Sequence, residues 1–476
     1  MVPKLRLLLG ALLVVLVATT LAPAAVADPA TPAQKDETAG NNIGTNVGNN
    51  AAGTSKRWMP KPGGTFNVPR STLENELRIE RQISTAINRA PKGSRIRIAV
   101  FSFDRKPVAQ ALARAHARGV QVQILLNNHQ ITPAQKILHK ALGRNRHKRN
   151  FAYECTRGCR STGENQHIKF YLFSKTGGAK DVVMTGSANL TMNGARNQYN
   201  DLYIKNNAPK VYAAFNNLFD SMRKDKPAKP AYWVQNIGKK FQLQATPFRN
   251  YGPKNDPIIT ILNRVRCKGA TGGTGNANKR TIVRVSMHTW NEYRGVYLAE
   301  KFRQLYTKGC DVKLMYGMAG EKVRNTFAKR TKRGYVLVHT NGADTDDDGK
   351  LDLYSHQKYL LISGNYGKDS STNLVVTGSS NYNNDGLKGD EEIFLIKSDG
   401  VFRNYIKNFQ WLWEDRSRLV RYIPYSAAQL ESDGGTVFPP PTNNTNTGSA
   451  RRQSGPPAGW DFSEGLATTG PEWEND

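Results

Sequence analysis

Gln166-His167-Ile168-Lys169-Phe170-Tyr171-Leu172-Phe173-Ser174 and, 189 positions on, Ser355-His356-Gln357-Lys358-Tyr359-Leu360-Leu361-Ile362-Ser363 are two versions of one pattern: histidine, any residue, lysine, then an apolar run. Each is followed by a Gly-Ser-x-Asn turn, Gly186-Ser187-Ala188-Asn189 in the first copy and Gly378-Ser379-Ser380-Asn381 in the second. The two asparagines are 192 positions apart, so little has been inserted between the motifs. The apolar run suits a buried strand, on which residues i and i+2 face the same side. His167 is therefore expected to point with Lys169, and His356 with Lys358. Two adjacent potential cations repel each other in a plain core, and the pairing becomes sensible when an anion sits between them. Ser187, Asn189, Ser379 and Asn381 add hydroxyl and amide groups on turns, suited to phosphate oxygens. One such histidine alone would read as an ordinary satisfied core residue. Two copies in register, brought together by a twofold, would instead surround a single phosphodiester.

The flanking sequence repeats as well. In the first copy, Leu73, Ile79, Ile83 and Ile87 recur near helical spacing before Pro91-Lys92-Gly93. A strand over 95–101, a helix over 108–118 closed by Gly119, and a strand over 120–126 follow. Strand, helix, strand implies a parallel pair with a crossover helix. The second copy has a strand over 281–285, a helix over 296–306 and a strand over 310–315. An amphipathic helix closes each copy, Val211 to Phe219 and Val401 to Trp413. The expected fold is α/β: two tandem repeats, each a mixed sheet flanked by helices, related by a pseudo-twofold. The boundaries read as 63–235 for the first repeat and 236–425 for the second.

The motif pair resembles the phospholipase D superfamily, whose signature is His-x-Lys-x4-Asp followed by Gly-Ser-x-Asn. The signature aspartate is Ser174 in one copy and Ser363 in the other, a departure that leaves the reacting groups intact. The resemblance implies a two-step displacement that requires no cofactor. One histidine attacks phosphorus to give a phosphohistidine; the other protonates the leaving alcohol and then deprotonates water. By analogy with the usual first-copy nucleophile, His167 attacks and His356 is the acid. Lys169, Lys358 and the asparagines would stabilise phosphoryl charge. Asp201, Glu391 and Glu392 follow the turns at similar distances and are candidates to orient the histidines.

Two features lie outside the motifs. Asp344-Thr345-Asp346-Asp347-Asp348-Gly349-Lys350-Leu351-Asp352 carries oxygen ligands at positions one, three, five and nine and glycine at six, as a calcium loop does. Position twelve is Ser355, not glutamate, and a solvated acidic turn is the alternative. If calcium binds Asp344, Asp346, Asp348 and Asp352, its role would be structural, ordering the approach to His356. Basic runs at Arg144–Arg149 and Lys329–Arg333 precede the motifs by similar intervals, so the twofold could set both beside the cleft as an anionic landing surface.

Composition sets the context. The 476 residues carry a formal net charge of +30, which favours anionic partners and says nothing about fold. Lys4 and Arg6, the apolar run from Leu7 to Leu21 and Ala25-Val26-Ala27 read as a signal peptide over 1–27, because a span needs about 20 apolar residues. Residues 28–62 read as a disordered leader and 426–476 as a disordered tail. Four cysteines fit secretion, and pairing 155 with 159 and 267 with 310 keeps each bridge inside one half. The expectation is a secreted, monomeric phospholipase D-type phosphodiesterase acting on phospholipid head groups at an anionic membrane surface, with possible transfer to another alcohol and no obligate protein partner. A secreted nuclease of the same superfamily is the alternative; an inactive binding protein retaining the fold is the third reading.

Overall fold

The computed structural model describes residues 58–161, 164–272, 278–345 and 351–420. The signal peptide, nearly all of the leader, and the tail lie outside the described residues. The strands of the first half are β1 (Gly63–Phe66), β2 (Arg95–Val100), β3 (Gln121–Asn127), β4 (Phe151–Cys155), β5 (Phe170–Thr176), β6 (Ala179–Gly186), β7 (Gln198–Tyr199) and β8 (Asp201–Lys205). Those of the second are β9 (Trp233–Ile237), β10 (Phe241–Ala245), β11 (Ile282–Trp290), β12 (Asp311–Ala319), β13 (Leu337–Thr340), β14 (Tyr354–Ser355), β15 (Lys358–Tyr366), β16 (Asp369–Gly378), β17 (Glu392–Lys397) and β18 (Arg418–Leu419).

The first sheet has the order β1-β8-β6-β5-β2-β3-β4 and the second β18-β13-β12-β11-β15-β16-β17-β10-β9. Six strands correspond one to one, in the same order: β8, β6, β5, β2, β3, β4 against β17, β16, β15, β11, β12, β13. The parallel pairs are β2 with β3 and β3 with β4, and β11 with β12 and β12 with β13, as strand–helix–strand order requires. The hairpin β9–β10 extends the second sheet from Trp233 onward, so a division after residue 235 falls inside β9.

The elements follow from their residues. Ile79, Ile83 and Ile87 recur every fourth residue and bury one face of the helix Arg78–Asn88. Thr132 and Gln135 form a capping box on the helix Pro133–Leu142, with proline in its first turn. Every residue of β11 is buried, as befits a central strand covered on both faces. Each half has an outer core, built around Ile83, Ile98 and Leu112 in the first and Val283, Leu298 and Phe302 in the second. A third core is shared. The helices Pro209–Arg223 and Asp399–Asp415 supply it with Phe215, Phe219, Phe402 and Phe409, alongside Leu172, Leu361 and Phe394 from the sheets. The rings of Phe215 and Phe394 meet across the halves at 5.3 Å, edge to face. The disulfides are Cys155–Cys159 and Cys267–Cys310, one in each half, as the spacing suggested.

Two expectations are corrected here. The basic runs do not flank the motifs. Gln121 and Gln123 donate to the Arg149 carbonyl, and Arg333 donates to the carbonyls of Tyr306 and Cys310. Both runs therefore sit where parallel strands begin, whereas Phe170 pairs with Ala99 and Lys358 with Met287 towards the strands' far ends. A connection that returns to start a parallel strand must end opposite the face where the previous strand finished. The His-x-Lys segments are also not internal to strands: β5 begins at Phe170 and β15 at Lys358.

Candidate active site

At each His-x-Lys segment the histidine backbone hydrogen-bonds across the interface, while the lysine stays with its own sheet. His167 N donates to Asp390 O at 3.0 Å, and His356 N donates to Tyr199 O at 2.9 Å. The short strand β14 pairs with β7 in parallel, and Gln166 bridges Asp390 in the mirrored arrangement. The residues that lead into one motif thus lie against the segment after the other half's Gly-Ser-x-Asn turn.

The side chains follow the same crossing. His167 donates Nδ1–H to Glu391 Oε1 at 2.8 Å. The other Glu391 oxygen accepts from Ser379 Oγ, which also lies 2.8 Å from Glu392 Oε2. Thr185 of the first half donates to Glu392 Oε1 at 2.9 Å. Burial, with the neighbouring Glu391 charge adding to it, pushes the Glu392 carboxyl up to about 8. A protonated Glu392 can donate to Ser379, Ser379 to Glu391, and Glu391 receives His167: a continuous chain that crosses the interface.

The second constellation is built alike with one change. His356 Nδ1 meets Asn200 Oδ1 at 2.8 Å. Asn200 Nδ2 donates to Gly194 O at 3.0 Å, which identifies the other amide atom as the acceptor. That oxygen also takes a hydrogen bond from Ser187 Oγ at 2.9 Å. His356 must therefore carry its proton on Nδ1 in the neutral form, leaving Nε2 as acceptor for Lys358 Nζ at 2.8 Å. Lys169 Nζ instead donates to His167 O at 2.9 Å and lies 5.3 Å from the centre of the Phe101 ring. Behind Asn200, Asp201 accepts from Thr377 at 2.7 Å and Tyr405 at 2.8 Å. Burial outweighs these bonds and raises its pKa above the usual carboxylate value.

Of the three carboxylates read as orienting groups, Glu391 alone touches a histidine. Asp201 and Glu392 sit one residue further on and face the opposite side, as successive residues of an extended chain do. Asn200 escaped the sequence reading because an amide, unlike a carboxylate, is not an expected partner for imidazole, yet it stands 191 positions before Glu391, the spacing that separates Asp201 from Glu392. Ser187 and Ser379 are wholly buried and bond the residues that hold the imidazoles, so neither hydroxyl is turned to an open phosphate site. The asparagines differ from them. Asn189 Oδ1 accepts from Ser102 N at 3.2 Å, while its Nδ2 is buried with no partner among the described residues; Asn381 Oδ1 is in the same position. Unpaired buried amide atoms on both turns fit a polar ligand between the halves. Arg294, fully buried, holds the second turn through Asn381 O and Ser380 Oγ and is ion-paired with Asp256 at 2.8 Å.

Ser174 and Ser363 lie well away from the histidines. Ser174 Oγ accepts from Arg95 N and Ser363 Oγ donates to Asn373, both at 2.8 Å, near the strand ends opposite the site. Of the acidic loop, Asp346 and Asp348 lie outside the described residues. Thr345 N donates to Asp352 at 2.7 Å. No group of three or more metal-binding side chains is assembled among the described residues.

Comparison with known proteins identifies the family. The family profile described as "Cardiolipin synthase, PLD-like domain" matches residues 83–223 and 276–413, one segment in each half and more than half of the chain together. No curated protein sequence matches. Among solved structures, a polyphosphate kinase from Porphyromonas gingivalis is 14% identical with a TM-score of 0.48, over 76% of this chain; this chain spans only 52% of that one. A phosphatidylserine synthase from Haemophilus influenzae Rd KW20 is 11% identical with a TM-score of 0.49, over 75% of this chain and 88% of the other. The phospholipase D family member Nuc from Salmonella typhimurium is 20% identical over 34% of this chain and 94% of its own, with a TM-score of 0.25. With both segments matched and one His-x-Lys motif in each, the chain belongs to the phospholipase D-like family and carries its domain twice.

Proposed function

We propose that the chain is a phosphodiesterase that works through a covalent phosphohistidine on His167, with His356 as general acid and then general base. The observation that carries the assignment is the unequal support of the two rings: a carboxylate, Glu391, for His167 and a neutral amide, Asn200, for His356. When His167 Nε2 forms a bond to phosphorus, its ring becomes cationic, and the Glu391 charge stabilises that cation. The P–O bond to the leaving alcohol breaks as His356 gives that oxygen a proton. An imidazolium held by an amide and facing Lys358 gains no such stabilisation, so it parts with its proton readily. Neutral His356 then takes a proton from water, which attacks phosphorus, breaks the P–N bond and frees His167. The unpaired amide N–H of Asn189, with Lys169, supplies donors for the phosphoryl oxygens.

Phospholipid is the substrate we favour, with the head-group ester as the bond cleaved. The apolar segment from Leu7 to Leu21 and the two disulfides support an extracellular setting. The charge of +30 is the observation that favours a nuclease. Choline release from phosphatidylcholine against nicking of plasmid DNA separates the two. The mechanism is tested with bis(p-nitrophenyl) phosphate, whose leaving group needs little acid help. Denaturing quench of the His356→Ala variant is expected to trap acid-labile phosphate on the protein, and the His167→Ala variant to trap none. Acid-labile phosphate trapped on His167→Ala would refute the assignment.

A further inference from the structure

The two sides of the site can be compared residue by residue, because the sheets share one register. Phe170 and Tyr359, each three residues after its histidine, pair with Ala99 and Ser286. Two residues further along the chain, Phe101, just past the end of β2, therefore corresponds to His288 in β11. Ala99 leads through Leu125 to Tyr153, and Ser286 through Met315 to His339. Two residues beyond, Cys155 corresponds to Asn341. These two pairs differ in one direction. Around His167 the positions hold Phe101, whose ring lies 5.2 Å from the imidazole, and Cys155, closed in a buried disulfide. Around His356 they hold His288, whose ring is 4.8 Å from His356 and stacks on Tyr354 at 5.1 Å, and Asn341.

Asn341 is 5% exposed. Its Oδ1 accepts from Ser355 N, next to His356, at 3.1 Å, and its Nδ2 has no partner among the described residues. A buried amide donor left unpaired is costly and calls for an acceptor. His288 adds a titratable ring at a place where Lys358 and His356 already concentrate potential positive charge. An apolar ring, as in the first half, would pack there without that repulsion. We infer that the alcohol leaving on the His356 side bears an anionic group, a carboxylate or phosphate, received by His288 and Asn341, while the arm kept on phosphorus lies against Phe101 and the cystine. The inference rests on the phosphodiesterase reading above and names its substrate: an anionic head group on an apolar lipid.

The test uses two substrate pairs and reads their kcat/KM ratio within each variant. Phosphatidylserine and phosphatidylethanolamine, diluted in neutral detergent micelles, differ by one head-group carboxylate. A dinucleotide with and without a terminal phosphate offers the same anion from nucleic acid. The wild-type chain is expected to prefer phosphatidylserine roughly tenfold, mainly through KM, as one hydrogen bond to a charged group allows. His288→Phe, which copies the first half, should bring the ratio to about one. Asn341→Asp keeps the acceptor for Ser355 N, replaces the free donor by a negative oxygen, and should do the same. A wild-type ratio near one in both pairs, or a ratio unchanged in both variants, overturns the anion subsite; a preference in the dinucleotide pair alone overturns the lipid source. If the wild-type chain cleaves neither these substrates nor bis(p-nitrophenyl) phosphate, the phosphodiesterase reading falls, and this inference falls with it.

Discussion

At the scale of single residues, the division of labour proposed for the histidines rests on Asn200 against Glu391. Giving His356 a carboxylate with Asn200→Asp should stabilise its imidazolium. The alkaline limb of the pH profile of kcat/KM would then move up by about one unit or more, because an opposite charge within hydrogen-bond reach favours the charged form. An unmoved limb would show that another group supplies the proton. Glu392 gives a second prediction. Burial pushes its carboxyl up to about 8 in the folded chain, against an ordinary value of 4.5. Between those values the folded state holds a proton that the unfolded state has lost, so stability falls as pH rises through the window and levels off above it. Glu392→Gln removes this dependence, and the difference between thermal midpoints at pH 5 and pH 8 should shrink. A difference identical to wild type would place the titration elsewhere.

At the scale of elements, the supports of the turns can be tested separately from chemistry. The buried pair Arg294–Asp256 fastens the helix Glu292–Thr307 to the Gly-Ser-Ser-Asn turn. Asp256→Asn leaves an uncompensated guanidinium in the interior and should cost about 3–5 kcal/mol in urea unfolding. A loss within error of zero would mean that the carbonyls of the turn satisfy Arg294 alone. Strands and crossover helices were legible in the sequence because β2, β3 and β12 follow Gly93, Gly119 and Gly309, their residues and those of β11 alternate or run apolar, and Ile79, Ile83 and Ile87 mark a single face. His167, Lys169, His356 and Lys358 were legible as a set because their spacing repeats. What the sequence concealed was every relation that crosses the interface. His167 finds Glu391 and His356 finds Asn200 through segments 224 and 156 positions away, and no local period encodes such a pairing. The strand assignment of the His-x-Lys segments failed for the same cause: the backbone partners of His167 and His356 belong to the opposite half. The basic runs were misplaced because interval along the chain does not report which end of a parallel sheet a loop occupies.

At the scale of the molecule, the two halves are joined by a shared core and by the site itself. Phe215, Phe219, Phe394 and Phe409 pack in one cluster, and Thr185 and Thr377 each donate to an acid of the other half. Each imidazole is positioned by a residue that its own half does not supply. This crossed support bears on how such a chain could arise. In an association of two identical single-repeat chains, replacing the carboxylate by an amide would have struck both histidines at once and left neither ring with a charge to lean on. Once the copies were joined and free to diverge, the same replacement could fall on one imidazole and spare the other. If the rings divide the work as proposed, the contrast between Asn200 and Glu391 needs two copies free to differ, which covalent linkage of the repeats provides.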